Sequence, residues 1–384
     1  MTVIGFVSRY PPVHCGVAEY TKFLISALRS LNPKLKLYVF STDEAYKESY
    51  EDELGVEVIP CFRRFETNYS EFLNKLTEVD GVDILHVQHE YGIFGGERYI
   101  IDALLQAKEE RLVRRNVITM HTVDHPYSGR DFALEFQASL NDVDSVIVHS
   151  ALQEFELQMQ NVESSRINRI PHGTLINPYL RYTKGYLSKS LGLNEDNFRG
   201  IILAIPGFLR KDKGVDVLLK ALKLIEDIKF TIILAGEPQD KELHELVTKE
   251  TEYRTILIER YLSSDEILRV VALADAIVLP YKDRKGAYAV SGILHLSMGG
   301  LKPIIGSRTP RLIELYQFAP DLTVPPNNPK ELANKIKWLV DNYDYAVAYM
   351  SELYSYAART QWIRVAYRHL RLYRNLLEDG LKMD

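Results

Sequence analysis

Short apolar runs rich in Val and Ile alternate with longer segments of helical spacing, and this alternation constrains the fold of the chain most. The runs predict strands at residues 3–8, 37–41, 56–60, 84–88, 117–120, 145–148 and 167–170. A polar, turn-rich stretch interrupts the pattern, and six further runs follow at residues 201–205, 230–235, 256–259, 276–279, 303–306 and 322–324. Such alternation is typical of parallel α/β sheets. We therefore predict two doubly wound, Rossmann-like domains.

The interruption of the pattern sets the predicted domain boundaries. We predict an N-terminal domain over residues 1–176, a linker over 177–199 and a C-terminal domain over 200–355. After Lys330 only helical spacing remains, and residues 356–384 are predicted to form a separate terminal helix. Ligands of doubly wound sheets bind beyond the carboxyl ends of the strands, so the polar residues that follow the strands are the candidates for a site.

Composition excludes several classes of protein. A chain of 384 residues with 46% hydrophobic residues can bury two ordinary cores. The net charge of −5 argues against a nucleic-acid partner. Cys15 and Cys61 are too few for a disulfide framework or a zinc cluster, which favours a reducing cytoplasm. No uncharged apolar stretch reaches the roughly 18 residues that span a bilayer, so we expect a cytoplasmic protein for which peripheral contact with a membrane stays open.

Polar residues follow three strands of the first half. Gly16 opens a helix after the first strand, and its free amides could face a phosphate, although an ordinary strand-to-helix turn explains the same pattern. After the fourth strand, "HVQHEYGIFGG" contains His86, His89 and Glu90, which suit a sugar better than a metal because no clear third ligand is present. His121 ends the fifth strand, where its side chain is either structural or directed at a ligand.

The second half contains two candidate anion sites. Arg210, Lys211 and Lys213 crowd the loop after the first strand of that half, just before a helix. A second helix is predicted to begin at Ser291-Gly292, again beyond a strand. Cations and free amides at helix N-termini bind phosphate groups. Two such sites on one domain predict a nucleotide diphosphate ligand, and a solvated charged loop is the alternative.

The ordered set of these motifs resembles the family-four retaining glycosyltransferases, which have the GT-B fold. The resemblance includes "RYPPVHCGVAEYTKFL", "VQHEYGIFGG", "TMHTVDHP", "RIPHGT", "GFLRKDKGVDVLLKAL", "SGILHLSMGGLKPII" and "QWIRVAYRHL". It is strongest for the branch with an N-terminal Pro-Pro-x-x-Cys-Gly-(Ile/Val)-Ala motif. It implies that two domains face each other across a cleft, with the nucleotide sugar on the C-terminal domain and the acceptor on the N-terminal one. It also implies that the last helix crosses back to the N-terminal domain.

The resemblance implies that Lys213 binds the donor diphosphate, that His121 faces the donor sugar and that Gly16 lies close to the phosphates. The other candidate residues come from the sequence pattern itself. The catalytic set is His121, Lys213, Arg210 and Glu90, with Lys213 at the diphosphate, His121 at the donor sugar and Glu90 as a base or sugar partner. The donor-binding set is Gly16, His172, Gly173, Gly207, Tyr261, Leu262, Val290, Ser291, Gly292 and His295. The acceptor-binding set is His89, Glu90 and Tyr91. No metal and no other cofactor is expected.

The chain also departs from the family pattern. Phe208 stands where the family has an arginine, which Arg210 could replace. Tyr288 and Leu296 stand where two glutamates are common, and Leu301 replaces a usual glycine. We expect transfer of a hexose, mannose or glucose, from a GDP- or UDP-sugar to a carbohydrate or glycolipid hydroxyl. The alternatives are a non-catalytic nucleotide-sugar-binding or scaffold subunit and a sugar-nucleotide epimerase.

Overall fold

The computed structural model describes residues 2–239, 245 and 254–380 and divides into two compact units. The N-terminal unit contains the chain up to Gly173, the short segment Lys285–Val290 and the chain from Trp362 onward. The C-terminal unit contains Thr174–Arg284 and Ser291–Gln361. Residues 1 and 381–384, with which the predicted domains begin and end, lie outside the described residues.

The N-terminal unit is built on a mainly parallel sheet with the strand order β3-β4-β2-β1-β5-β6-β8-β9. Its strands are β1 (Val3–Ser8), β2 (Lys36–Thr42), β3 (Tyr50–Glu51), β4 (Glu57–Phe62), β5 (Val82–His89), β6 (Val113–Met120), β8 (Ser145–Val148) and β9 (Ile167–Arg169), and β7 (Thr122–Asp124) lies outside this sheet. The helices that connect them are α1 (Gly16–Leu31), α2 (Ser70–Glu78), α3 (Tyr91–Phe94), α4 (Tyr99–Glu109), α5 (Asp131–Ala138) and α6 (Ala151–Met159).

The C-terminal unit has a parallel sheet with the order β12-β11-β10-β13-β15-β16. Its strands are β10 (Ile201–Pro206), β11 (Phe230–Ala235), β12 (Arg254–Ile258), β13 (Ala276–Leu279), β15 (Ile304–Ser307) and β16 (Thr323–Val324), and β14 (Ala287–Ala289) lies outside this sheet. The helices of the unit are α7 (Lys184–Ser190), α8 (Val215–Leu222), α9 (Ser264–Leu273), α10 (Gly292–Ser297), α11 (Ile313–Phe318), α12 (Pro329–Asp341) and α13 (Tyr343–Arg359). The last helix, α14 (Trp362–Gly380), belongs to the N-terminal unit.

Burial explains why the central strands read as continuous apolar runs. Every residue of β11 and of β13 is buried, as expected for parallel strands covered by helices on both faces. In the C-terminal sheet, Leu203 of β10 lies opposite Ala276 of β13, and Ile277 lies opposite Ile304 of β15. The carboxyl ends of these three strands therefore meet at one edge of the sheet.

The structure contains each of the predicted strands, with ends that shift by up to four residues, and it adds three short ones. One addition is β3, which pairs with β4. The other two, β7 and β14, form an antiparallel pair in which Tyr288 lies opposite Val123. This pairing places residues 285–290 in the N-terminal unit, which differs from the predicted boundaries. The predicted linker also differs, since it contains α7, whose Thr183 accepts a cap hydrogen bond from Tyr186 N.

None of the helices among the described residues combines the length and the apolar character needed to cross a membrane.

Candidate active site

Lys213 lies at the centre of a polar cluster at the carboxyl edge of the C-terminal sheet. The loop after β10 carries Lys213 into the interior, where only 6% of its surface is exposed. Its Nζ donates a hydrogen bond of 2.7 Å to the hydroxyl of Tyr281, which directly follows β13. The same Nζ lies 4.1 Å from the centroid of the Tyr281 ring. The loops after two neighbouring strands thus meet at one buried ammonium group.

Gly214 is the residue that allows this contact. It has a φ of +70°, and a Cβ atom at this position would lie 1.9 Å from the carbonyl oxygen of Pro280. Only glycine combines that backbone conformation with that close an approach. The loop that carries Lys213 can therefore lie directly against the end of β13.

Asp212 joins two further cations to the cluster. Arg210 donates two hydrogen bonds to its carboxylate, of 3.0 and 3.1 Å, and Arg311 donates one of 2.5 Å. Burial by itself would raise the pKa of the Asp212 carboxyl, but Arg210 and Arg311 outweigh it and lower the pKa to about 2. The carboxylate is thus ionised at neutral pH and holds both guanidinium groups in place.

Arg311 comes from the loop that follows β15, so a third neighbouring strand contributes to the cluster. Its guanidinium carbon lies 4.9 Å from the centroid of the Tyr281 ring. Tyr281 therefore contacts both Lys213 and Arg311, and it is itself fully buried. Burial, and then the positive charges of Arg311 and Arg210, lower the pKa of Lys213 well below its usual value. The cluster holds three cations and only one carboxylate, Asp212. An anion with two negative charges would therefore relieve the repulsion among the cations.

Ser291 connects the cluster to the short helix α10. Its hydroxyl lies 3.1 Å from that of Tyr281 and accepts a hydrogen bond from Leu294 N as the helix cap. The helix has six residues. Gly292 is exposed at its start, as the predicted anion site requires, whereas Val290 belongs to the N-terminal unit.

His295 was predicted to bind the donor, and its position argues against this role. The side chain is fully buried, and its Nδ1 lies 2.8 Å from the carbonyl oxygen of Ser291. Its Nε2 lies 3.7 Å from Oε1 of Glu314. The short helix α10 turns His295 toward the core, beside a carboxyl group from α11, so this position gives no support to donor binding.

Two aromatic rings lie beside the loop after β10. The ring centroids of Phe208 and Tyr261 are 5.9 Å apart, and both side chains are partly exposed. Gly207, with a φ of +93°, forms the turn that precedes Phe208. Leu262 is buried in the core, so the predicted donor contact fits Tyr261 better than Leu262.

In the N-terminal unit, three histidines surround the buried ring of Tyr20. The ring centroids of His121, His149 and His172 lie 4.7, 5.2 and 5.1 Å from that of Tyr20. His121 and His149 follow the neighbouring strands β6 and β8, and His121 is partly exposed, as predicted for a ligand-facing side chain. Its Nε2 lies 3.0 Å from Oε1 of Gln88. Burial, followed by the neighbouring His149 and His89, lowers the pKa of His121 well below its usual value.

Gly16 and Glu90 are accessible in the same unit. Gly16 is exposed at the start of α1, and a Cβ atom there would meet nothing within 4 Å. The packing of the protein therefore gives no reason for a glycine at this position. Glu90 is partly exposed and accepts a hydrogen bond of 2.7 Å from the Thr122 hydroxyl.

Two of the predicted acceptor-binding residues are structural. His89 is fully buried, and its ring stacks on Phe136 with centroids 4.0 Å apart. Tyr91 is 4% exposed and donates a hydrogen bond of 3.0 Å to Oε1 of Gln137. Both side chains point from their backbone into the core, so their positions give no support to acceptor binding.

Gly173, predicted to bind the donor, also has a packing role. A Cβ atom at this position would lie 2.1 Å from the ring of Trp362, which packs on Tyr20 at a centroid distance of 5.0 Å. The glycine makes room for this tryptophan, so donor binding is not needed to explain it.

The histidines do not assemble into a metal site. His86 lies 2.6 Å from the Tyr373 hydroxyl through Nδ1 and 2.7 Å from that of Thr119 through Nε2. Within the described ranges, no group of three or more His, Cys, Asp or Glu side chains has an arrangement that could hold a metal ion.

The sequence interpretation did not identify Asp212, Tyr281, Arg311, Tyr20 or His149 as site residues. Tyr281 and His149 each lie just beyond the end of a strand, and sequence analysis can use that position to identify candidate site residues. Arg311 follows β15 by four residues and approaches Asp212 only through the fold. Asp212 lies between two selected cations, Lys211 and Lys213, and the sequence pattern gives no sign that its carboxylate binds two arginines.

Comparison with solved structures establishes the class of fold. Sucrose-phosphate synthase from Thermosynechococcus elongatus superimposes with a TM-score of 0.76 at 18% identity, over 99% of this chain and 100% of that one. HepE from Anabaena, in complex with UDP and glucose, gives a TM-score of 0.74 at 17% identity over 98% and 100%. A glycosyltransferase from Rickettsia africae gives 0.76 at 16% identity over 98% of each chain. The chain therefore has the GT-B fold, which consists of two Rossmann-like domains.

Sequence comparison adds a family assignment for part of the chain. Residues 199–342 match the family model described as "Glycosyl transferases group 1". This segment contains the whole Lys213 cluster. A GDP-mannose:glycolipid 4-beta-D-mannosyltransferase from Xanthomonas campestris pv. campestris is 27% identical over 101 residues. The aligned segment covers 26% of this chain and 28% of that relative.

Proposed function

We propose that this protein is a family-four retaining glycosyltransferase that moves a hexose from a nucleoside diphosphate sugar to a hydroxyl of a sugar or glycolipid acceptor. The observation that carries the proposal is the convergence of Lys213, Arg210 and Arg311 at the carboxyl edge of the C-terminal sheet, inside the segment that matches the glycosyltransferase family. The charges of these three cations and of the single carboxylate of Asp212 sum to a net positive charge. A diphosphate is a ligand of matching charge and size.

The proposed chemistry depends on that positive charge. Transfer breaks the bond between the anomeric carbon and the diphosphate oxygen, so negative charge builds on the departing diphosphate while the sugar becomes oxocarbenium-like. Lys213, Arg210 and Arg311 would stabilise this charge. The acceptor hydroxyl would attack on the face that the diphosphate leaves and pass its proton to a phosphate oxygen. The configuration at the anomeric carbon is then retained without a protein nucleophile.

Other residues receive proposed roles from their positions. The partly exposed Phe208 and Tyr261 offer aromatic surface to a nucleoside. In the N-terminal unit, His121 would hydrogen-bond the donor sugar, Gly16 would allow close approach of the phosphates, and Glu90 would serve the acceptor hydroxyl. We propose that transfer needs no metal, because fixed cations already face the phosphate position.

The names of similar proteins suggest the donors to test first. The Xanthomonas relative is named for GDP-mannose and a glycolipid. HepE is described in complexes with UDP and with UDP-glucose. GDP-mannose and UDP-glucose, with a glycolipid or oligosaccharide acceptor, are therefore the first choices for this chain.

A non-catalytic nucleotide-sugar-binding subunit is the second candidate. It is favoured by Tyr288 and Leu296, which stand where the family commonly has two glutamates. An assay of donor hydrolysis separates the two candidates. A transferase should slowly release nucleoside diphosphate from its donor even without acceptor, whereas a binding subunit should give a thermal shift with the nucleotide sugar and no release. Absence of both effects across GDP- and UDP-hexoses would contradict both candidates.

A further inference from the structure

The exposed face of α14 carries a row of four arginines. Arg364, Arg368, Arg371 and Arg374 are all exposed and follow one another at intervals of three or four residues, which places them on one side of the helix. Among the residues whose side chains the structure describes, no Asp or Glu forms an ion pair with any of the four. Other arginines of the N-terminal unit, such as Arg9, Arg98, Arg114 and Arg166, are paired with carboxylates, so the row on α14 is a distinct positive surface.

The opposite face of the same helix is packed into the N-terminal unit. Val365, Ala366, His369 and Tyr373 are buried, and Tyr373 bonds His86 of β5. At the far end, Arg115 of β6 donates a hydrogen bond of 2.9 Å to the carbonyl oxygen of Leu376. The helix is therefore held by its buried face, and the arginine face is presented to solvent on a fixed support.

Apolar side chains lie among the arginines. Tyr367 is 60% exposed and Ile363 is 41% exposed, and both lie on the same side of α14 as the arginines. Glu378, one turn beyond Arg374, is an acidic residue of this face. A helix face with basic residues and interspersed aromatic and aliphatic residues is suited to the interface of a membrane, where cations meet anionic headgroups and apolar groups enter the boundary of the acyl chains.

We propose that this face of α14 docks the protein on an anionic lipid surface. A nucleic acid is a weaker match, because the chain as a whole carries a net charge of −5 and phosphate-backbone binding requires a general surplus of positive charge. This inference rests on the proposed function for its biological purpose. A glycolipid acceptor is embedded in a membrane, and docking would bring the protein to it. Lipid binding itself can be measured without any transfer reaction.

The test is sedimentation of the full chain with vesicles of phosphatidylcholine, with and without phosphatidylglycerol. The unmodified protein should sediment with the anionic vesicles, stay in solution with the neutral ones, and be released by salt, which screens exposed charges. Each arginine near an anionic surface contributes about fivefold in affinity. The variant with Arg364, Arg368, Arg371 and Arg374 all changed to Gln should therefore bind anionic vesicles at least about tenfold more weakly. Glutamine favours helix nearly as well as arginine, and circular dichroism and melting should confirm an intact fold.

A matched control changes the same number of charges elsewhere. Lys34, Lys220, Lys229 and Lys330 are exposed, and changing all four to Gln alters the net charge by the same amount. This control should keep its binding to anionic vesicles. A second variant, Tyr367→Ala, should weaken vesicle binding while the release by salt stays the same.

Three results would overturn the inference. They are equal binding of the four-arginine variant and the unmodified protein, equal binding of neutral and anionic vesicles, and tighter arginine-dependent binding of duplex DNA or heparin than of vesicles. Release of nucleoside diphosphate from a soluble donor, measured without vesicles, keeps the two proposals apart. If the protein lacks donor turnover but binds anionic vesicles through these arginines, the proposed function fails and this inference stands.

Discussion

At the scale of single residues, Lys213 is a cation in surroundings that oppose its charge. It is buried, it lies near two arginines, and the one carboxylate of the cluster, Asp212, is hydrogen-bonded to those arginines. A bound diphosphate would supply the missing negative charge. The ammonium group should therefore contribute to binding and to transfer together.

Changing Lys213 to Ala should lower donor turnover by about 10²-fold or more, because a preorganised donor at the developing charge is lost. It should also weaken nucleoside diphosphate binding in calorimetry. Lys220→Ala is a suitable control, since Lys220 lies on α8 and is exposed. Unchanged diphosphate affinity in the Lys213 variant would exclude this residue from the phosphate site.

His121 tests the proposed sugar contact. His121→Ala should reduce donor turnover by about tenfold or more, while nucleoside diphosphate affinity stays nearly unchanged because the Lys213 cluster is untouched. The lost contact with Gln88 should cost about 1 kcal/mol of stability. Steady-state kinetics, calorimetry and melting measure the three effects. A variant that melts several degrees lower and keeps its turnover at a permissive temperature would assign His121 a structural role.

Glu314 predicts a specific dependence of stability on pH. Burial raises the pKa of its carboxyl from 4.5 to about 7. The folded protein thus holds a proton that the unfolded chain has lost, so this contribution is complete below about pH 4.5 and disappears as the pH rises through about 7. In Glu314→Gln, the free energy of unfolding should not show this loss, which amounts to about 3 kcal/mol in the unmodified protein.

Urea unfolding at several pH values measures the difference between the Glu314 variant and the unmodified protein. Glu226 is exposed, and Glu226→Gln should follow the unmodified protein at every pH. Parallel curves for Glu314→Gln and the unmodified protein would show that Glu314 does not retain its proton.

Sequence analysis can identify residues that cluster in space where those residues are also close in the chain. Lys213 and Arg210 do lie in one cluster, because one loop carries both. Arg311 was missed because 99 positions separate it from Asp212 and only the parallel order of β10, β13 and β15 brings them together. The burial of His89 and His295 was not predicted, because residue type and position along the chain do not define which way a side chain points.

At the scale of elements, the turn at Gly214 positions the loop that carries Lys213. Gly214→Ala would force a Cβ atom against the Pro280 carbonyl and should cost about 1–3 kcal/mol of stability. Diphosphate binding should weaken as well, because Lys213 would be displaced from Tyr281. Melting and calorimetry measure the two effects.

Gly192 provides the control for that variant. It has a φ of +73°, but a Cβ atom there would meet nothing within 4 Å. Gly192→Ala should cost only about 1 kcal/mol and leave diphosphate binding intact. If the two alanine variants behave alike, backbone strain rather than the contact with Pro280 determines the effect.

The long elements could be predicted from sequence, and the shortest could not. Buried strands such as β11 and β13 are continuous apolar runs, which single-sequence patterns identify. The β7 and β14 strands have three residues each, too few for a recognisable repeat of apolar residues. They also lie more than 160 positions apart, so their pairing has no local signal in the sequence. Helix α7 lies inside the predicted linker. Its residues, KGYLSKS, are mostly polar and expose most of one face, so the sequence does not indicate a helix there.

At the scale of the whole molecule, the proposed transfer should be independent of metal ions. The cluster supplies three fixed cations at the phosphate position, so EDTA should leave donor turnover unchanged. Turnover measured after removal of EDTA and addition of Mg²⁺ or Mn²⁺ should equal that of the untreated protein. A loss of turnover in EDTA that either ion restores would require a metal in the mechanism.

The assignment of Lys285–Val290 and the last helix to the N-terminal unit means that the polypeptide passes between the two units four times, after residues 173, 284, 290 and 361. No single cut in the gene therefore separates the units. A fragment that ends at 173 would lack both the partner strand of β7 and the helix that packs against α1. Dissection of this protein into halves for expression should accordingly fail with simple truncations. It would need the peptide 285–290 and the terminal helix grafted onto the first fragment through designed linkers.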